Sequence, residues 1–189
     1  MNSHQIRFDE DLVRRYDRSG PRYTSYPTAV QFSDRFGVNE YRGVAVASNQ
    51  DPIPRPLSLY VHIPFCSSTC FYCGCTKVIT RNHEKAEAYL YRLHREIELQ
   101  SQLYDRDREV EQLHFGGGTP TFLTSLEIDR LIDKLGSHFK LSRDPNREYS
   151  IELDPRTITR DTLRDLANVG FNRCSLGIQD FDPLVQEAV

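Results

Sequence analysis

Cys66-Ser67-Ser68-Thr69-Cys70-Phe71-Tyr72-Cys73-Gly74-Cys75 gathers four of the chain's five cysteines into one short stretch, in the pattern C-x3-C-x2-C-x-C. Clustered thiolates are soft ligands that select zinc or iron–sulfur centres. A structural zinc site takes two separated ligand pairs, so that two loops are clamped on one tetrahedral ion. Here all four thiols share one loop, and no second C-x2-C or H-x3-H pair follows. A loop with three closely spaced cysteines can instead wrap one face of a cubane cluster and leave its fourth iron free to bind something else. The spacing of Cys66, Cys70 and Cys73 favours that iron–sulfur reading, with zinc or a disulfide pair as the alternatives.

Outward from the loop, composition sets the class. The chain has 189 residues, 38% hydrophobic and 27% charged, which suits a soluble globular protein of one domain or slightly more. A formal charge of −3 supplies no bulk basic field for nucleic acid or acidic lipid. Met1 to Glu10 lack the apolar region of a signal peptide, and no later stretch reaches membrane-span length. The expected location is the cytoplasm, where thiols stay reduced.

Residues 1–56 read as an irregular N-terminal arm, broken by Gly20-Pro21, Tyr26-Pro27 and Pro52-Ile53-Pro54-Arg55-Pro56, with one helix near Asp9–Arg18. Residues 57–189 alternate strand and helix. Strands are expected at Leu57–Ile63, Val110–Phe115, Tyr149–Asp154 and Arg173–Gln179. Helices are expected near Glu84–Tyr104, after a capping box of Thr124 and Glu127, at Arg160–Val169 before Gly170, and from Pro183 to Val189. This order predicts an α/β fold with a parallel sheet or barrel. Parallel strands covered on both faces are apolar almost throughout. These alternate: Leu57, Leu59, Val61 and Ile63 oppose Ser58, Tyr60 and His62, and Ile151 and Leu153 oppose Ser150, Glu152 and Asp154. Cys174, Leu176 and Ile178 oppose Ser175, Gly177 and Gln179 in the same way. If the apolar faces meet the helices, the strands aim polar groups at one interior that holds a polar ligand.

Several residues then stand out as candidates. Gly116-Gly117-Gly118-Thr119-Pro120 follows the second strand at its carboxyl end, where α/β barrels place their sites and where glycines let backbone approach a ligand. By itself the run is equally a tight strand-to-helix turn, and it lacks the dinucleotide pattern G-x-G-x-x-G. Glu152 and Gln179 fall on the polar face as an acceptor and a mixed donor–acceptor. Tyr60 and His62 precede the cysteine loop, and hydrogen-bonded barrel residues would look the same. Cys75 could ligate a zinc or serve as a nearby redox or packing thiol, and is not assigned as a ligand because three cysteines suffice for a cluster with one open iron. Cys174 reads as a buried small hydrophobe.

The C-x3-C-x2-C loop resembles the signature of the radical S-adenosylmethionine (SAM) superfamily, in which the open iron chelates SAM. Tyr60-Val61-His62-Ile63-Pro64-Phe65-Cys66, Cys73-Gly74-Cys75 and Gly116-Gly117-Gly118-Thr119-Pro120-Thr121 resemble one family within it, the oxygen-independent coproporphyrinogen III oxidases. So do Ile151-Glu152-Leu153-Asp154-Pro155-Arg156, Gly170-Phe171-Asn172-Arg173 and the arm Ser19 to Thr28. The resemblance implies a partial parallel (β/α) radical SAM barrel, truncated here after about four βα units. It implies a 4Fe–4S cluster on Cys66, Cys70 and Cys73, with SAM contacted by Tyr60, Gly117 and Glu152. Tyr72, Gly118, Thr119 and Gln179 are similar to residues lining a second SAM site. The implied reaction turns propionate side chains of coproporphyrinogen III into vinyl groups, giving protoporphyrinogen IX, with electrons from a donor such as a flavodoxin or ferredoxin. The implied full-length form is a monomer. A related radical SAM heme chaperone generally lacks both the arm and the cysteine two residues past the third ligand, whereas this chain carries both. Family members are much longer, so this chain is expected to be a piece with an open sheet edge and an uncovered apolar face. Arg22, the only cation in Ser19–Thr28, is expected to pair a substrate propionate from an arm over the barrel mouth.

Overall fold

The computed structural model describes residues 8–18, 27–71 and 73–188, so Arg22, Tyr72 and most of the Ser19–Thr28 segment lie outside the described residues. The chain divides into two units, Met1–Tyr41 and Arg42–Val189. In the first, α1 (Glu10–Tyr16) begins where the Asp9 carboxylate accepts the Leu12 N–H at 2.9 Å, and a short 3-10 turn covers Ala29–Gln31. A helix the sequence reading does not anticipate, α2 (Val38–Ala47), runs across the division. Its start is fixed by the Glu40 carboxylate, which accepts the Gly37 N–H at 2.9 Å. Only Ala45 in it is buried, and without an apolar stripe the helix leaves no periodic signal in the sequence.

The second unit carries β1 (Leu57–Ile63), β2 (Phe65–Cys66), β3 (Val78–Ile79), α3 (Glu84–Ser101), β4 (Glu109–Gly117), α4 (Ser125–His138), β5 (Lys140–Leu141), β6 (Glu148–Leu153), α5 (Arg160–Asn168), β7 (Arg173–Leu176) and α6 (Pro183–Ala188). The main sheet is wholly parallel in the order β1-β4-β6-β7, and β5 pairs the start of β4. One face of β1, β4 and β6 is dry: Val61, Ile63, Val110, Leu113, Phe115, Tyr149, Ile151 and Leu153 are buried. Against them lie Ala86, Leu90, Leu93 and Ile97 of α3, Ile128, Leu131 and Leu135 of α4, and Leu166 of α5. Burial of that layer is the main drive for the fold. Among the described residues no helix is long and apolar enough to cross a membrane.

Two expectations are corrected. The last strand ends at Leu176, where its pairing with Leu153 of β6 ends, and Gln179 follows in a loop with φ of 67°. Cys174 is exposed rather than buried, because β7 is the sheet's edge and all four of its residues face solvent. The open edge itself matches the sequence reading.

Local signals place the site-bearing turns. Thr124 and Glu127 close the expected capping box: Thr124 Oγ1 accepts the Glu127 N–H at 3.3 Å, and Glu127 Oε2 accepts the Thr124 N–H at 2.8 Å. Asn172 extends the pairing of β6 as a backbone would, accepting the Tyr149 N–H at 2.9 Å and donating to Arg147 O at 2.7 Å. Thr124→Ala removes one half of the box and should cost about 1 kcal/mol, lowering the melting temperature by roughly 2–4 °C. Thermal melts followed by circular dichroism check this, and an unchanged midpoint would show that the box contributes nothing.

Candidate functional site

The cysteine loop is closed at its base by backbone. β2 and β3 pair in parallel as Phe65–Val78 and Cys66–Ile79, with Val78 N–H donating to Pro64 O at 2.7 Å and Thr80 N–H to Cys66 O at 2.9 Å. The glycine run lies directly against this corner. Gly118 N–H donates to Ile63 O and Thr119 N–H to Phe65 O, both at 2.8 Å. A Cβ on Gly118 would stand 2.7 Å from Phe65 O and 2.9 Å from Cys66 Sγ, so only glycine fits. Gly117 has φ of 115° and faces the His62 ring at a distance a Cβ would fill. Thr119 Oγ1 lies 3.5 Å from Cys66 Sγ.

Around this corner opens a cavity of about 780 Å³ at the carboxyl ends of the parallel strands. It is lined by Cys66, Cys70, Cys73 and Cys75 from the loop, Gly117, Gly118 and Thr119 from the turn, Glu152 and Asp154 from the end of β6, and Gln179 beyond β7. The structure thus brings together the three proposed cluster cysteines and five of the proposed ligand residues, Gly117, Gly118, Thr119, Glu152 and Gln179. Tyr60 is not among the described residues lining the cavity. It is exposed on the polar face, its hydroxyl 3.0 Å from His62 Nδ1 and its ring stacked on His114. His62 in turn bonds Thr76 O at 2.9 Å and so ties β1 to the cysteine loop.

The loop's chemistry suits metal binding. All the cysteines are unbridged. The Cys75 backbone N–H, with Lys77 nearby, holds the Cys73 thiol below its ordinary value and favours the thiolate that a metal requires. Burial and the neighbouring Cys73 push the Cys75 thiol up. Cys66, beside a glycine that leaves its sulfur free space, and Cys70 share the cavity with Cys73, so the donor set is chemically that of a cluster held by three thiolates, although among the described residues no three His, Cys, Asp or Glu side chains converge on one metal position.

Glu152 holds the other side. Oε2 accepts the Gly117 N–H at 3.0 Å and Oε1 lies 3.2 Å from His114 Nε2. Asp154, next on the cavity wall, is gripped by Arg156 at 2.9 Å, and those hydrogen bonds hold its carboxyl below the ordinary range. Asp154, Arg156, His114 and Ser150 were not assigned site roles from the sequence. Asp154 and Ser150 shared the recognised polar face with Glu152, which was the available signal.

Residues 60–189 match the radical SAM superfamily. The chain is 52% identical over 184 residues to the oxygen-independent coproporphyrinogen III oxidase of Pseudomonas aeruginosa, covering 97% of this chain and 40% of that protein. It is 46% identical over 151 residues to the protein of the same name from Mannheimia haemolytica, covering 80% of this chain and 99% of that sequence. Among solved structures it is similar to Escherichia coli coproporphyrinogen III oxidase, described as a radical SAM enzyme, with a TM-score of 0.78 and 46% identity, covering 97% of this chain and 39% of that one. The chain spans about 40% of the length of the Pseudomonas relative.

From the loop chemistry, replacing Cys66, Cys70 or Cys73 by alanine should abolish cluster assembly on anaerobic reconstitution, and Cys75→Ala should leave it intact. Iron and sulfide analysis of each variant reads the outcome, and stoichiometric zinc without iron would contradict it.

Proposed function

This chain belongs to the radical SAM superfamily and, within it, to the oxygen-independent coproporphyrinogen III oxidases; on that premise we propose that it supplies the cluster- and SAM-binding part of an enzyme that converts propionate side chains of coproporphyrinogen III into vinyl groups. In net terms each propionate that reacts loses a hydrogen atom, carbon dioxide and one electron, and conversion of two of the four gives protoporphyrinogen IX. The observation that carries the reading is the single cavity lined by Cys66, Cys70, Cys73, the Gly117–Thr119 turn and Glu152.

When bound, the cluster and SAM supply the one-electron chemistry that begins hydrogen abstraction. The chain's own residues hold and orient. Cys66, Cys70 and Cys73 would hold the cluster through their three thiolates. Glu152, with one protein donor on each oxygen, keeps its remaining lone pairs for the ammonium or ribose hydroxyls of SAM. Gly117 lets SAM approach the backbone, and Tyr60 supports that side of the site from the polar face. Gly118, Thr119 and Gln179 would line the place for a second SAM; Tyr72, proposed for the same place, lies outside the described residues. Residues 57–189 form the barrel part and residues 1–56 the arm; Arg22 of the arm, which lies outside the described residues, is the candidate partner for a propionate carboxylate. The electron comes from a flavodoxin- or ferredoxin-type donor, and the working form is a cytoplasmic monomer.

The test is an anaerobic assay of the intact protein carrying this chain, with coproporphyrinogen III, SAM and a reductant. Vinyl product and methionine should appear together, and stable heme binding without turnover would instead indicate a carrier. In the same protein Glu152→Gln should weaken SAM binding about ten- to hundredfold while the cluster stays assembled. Unchanged affinity would return Glu152 to a structural role.

A further inference from the structure

The middle of β4 carries a histidine with no role in the reading above. Strand register sets Tyr60, His114 and Ser150 side by side across β1, β4 and β6. Both ring nitrogens of His114 are engaged: Nδ1 lies 2.6 Å from Ser150 Oγ and Nε2 lies 3.2 Å from Glu152 Oε1. An ionised carboxylate only accepts, so the tautomer that satisfies all three groups has its proton on Nε2, donated to Glu152, while Ser150 donates to Nδ1. The ring has little freedom to turn away, because it stacks on Tyr60 with centroids 5.7 Å apart and planes inclined by 19°. Gly116 belongs to the same arrangement. A Cβ there would stand 2.9 Å from His114 Nε2 and 3.0 Å from Glu152 Oε1, so the missing side chain is the space the pair occupies.

We propose that His114 is a positioning residue for the Glu152 carboxylate, fixing the plane in which that group meets SAM. The inference rests on the proposed contact between Glu152 and SAM. Glu152 is held at two points, His114 on Oε1 and Gly117 N–H on Oε2, and two donors on different oxygens fix a carboxylate plane that one donor leaves free to rotate. His114 itself is not among the described residues lining the cavity, whereas Glu152 is, so its effect passes through Glu152. Preorganisation of this kind raises affinity by removing an ordering cost from the binding step. It also accounts for Ser150 and Gly116, one setting the tautomer and the other leaving room.

Anaerobically reconstituted protein is titrated with SAM as wild type, His114→Phe, His114→Gln, Glu152→Ala and the double variant His114→Phe/Glu152→Ala, with iron and sulfide content measured in each. Loss of the positioning donor in His114→Phe should weaken SAM binding about tenfold. The amide of His114→Gln keeps a donor toward Glu152 and should recover affinity to within about threefold of wild type. The double variant should bind no more weakly than Glu152→Ala alone, since the two residues act as one unit. Additive losses would show that His114 acts independently of Glu152 and would overturn the proposal. Unchanged affinity in His114→Phe beside a weakened Glu152→Ala would overturn it while leaving the Glu152 contact standing. Unchanged affinity in Glu152→Ala would remove both. If His114→Phe fails to assemble the cluster, Ser150→Ala decides, because it frees Nδ1 without touching Glu152. It should weaken binding about two- to threefold in wild type and not at all in Glu152→Ala, and unchanged affinity in the wild-type background would overturn the proposal.

Discussion

The site depends on a backbone contact that excludes any side chain: the Gly117–Thr119 turn lies against the Ile63–Cys66 corner. Two N–H groups of the turn donate to carbonyls of that corner at 2.8 Å, and a Cβ on Gly118 would lie within 2.7 Å of one of them. The contact joins the end of β4 to the base of the cysteine loop. It sets Thr119 beside Cys66, aims the Gly117 N–H at Glu152, and brings the loop and the end of β6 to one cavity. Each glycine in the run makes room for a different neighbour, Glu152 and His114 at Gly116, His62 at Gly117, and the Cys66 corner at Gly118.

The second constraint is the division of the sheet into a dry face and a wet one. The dry face packs on α3, α4 and α5 and supplies the hydrophobic drive. The wet face carries polar groups that satisfy one another: Tyr60 with His62, His62 with Thr76 O, His114 with Ser150 and Glu152, and Gln112 with Glu148. Unpaired, such groups would be costly wherever a ligand or further chain covers them. Paired along the strand register, they form a preset lining whose outer end, at Glu152, opens on the cysteine cavity.

Much of this was legible in the sequence because strand alternation and turn chemistry are local. β1 falls at Leu57–Ile63 as read, and the Thr124–Glu127 box is formed. The cysteine spacing and the glycine run pointed to residues that do line one cavity. What escaped has physical causes. β4 carries an irregularity opposite Leu57 and Ser58, which pair with Val110 and Gln112 and leave Glu111 unmatched. That extra residue resets the alternation, so Val110 and Leu113 are both buried although three positions apart, and His114 does not fall on the polar face by simple counting. α2 was missed because a helix with one buried residue leaves no stripe. Cys174 was read as buried because an apolar strand face is usually covered, whereas β7 stands at the edge. Gln179 left its strand because pairing ends before it, a property of β6 rather than of its own sequence.

The central claim is that the cysteine loop and the polar face form one site, in which a cluster on Cys66, Cys70 and Cys73 and a SAM molecule on Glu152 meet. The most direct measurement is the electron paramagnetic resonance spectrum of the anaerobically reconstituted, reduced protein before and after addition of SAM. We expect a reduced-cluster signal whose shape and g values change when SAM is added, and a far smaller change at the same SAM concentration in Glu152→Ala. A signal from an assembled cluster that saturating SAM leaves unaltered would contradict the claim that the two halves of the cavity serve one ligand.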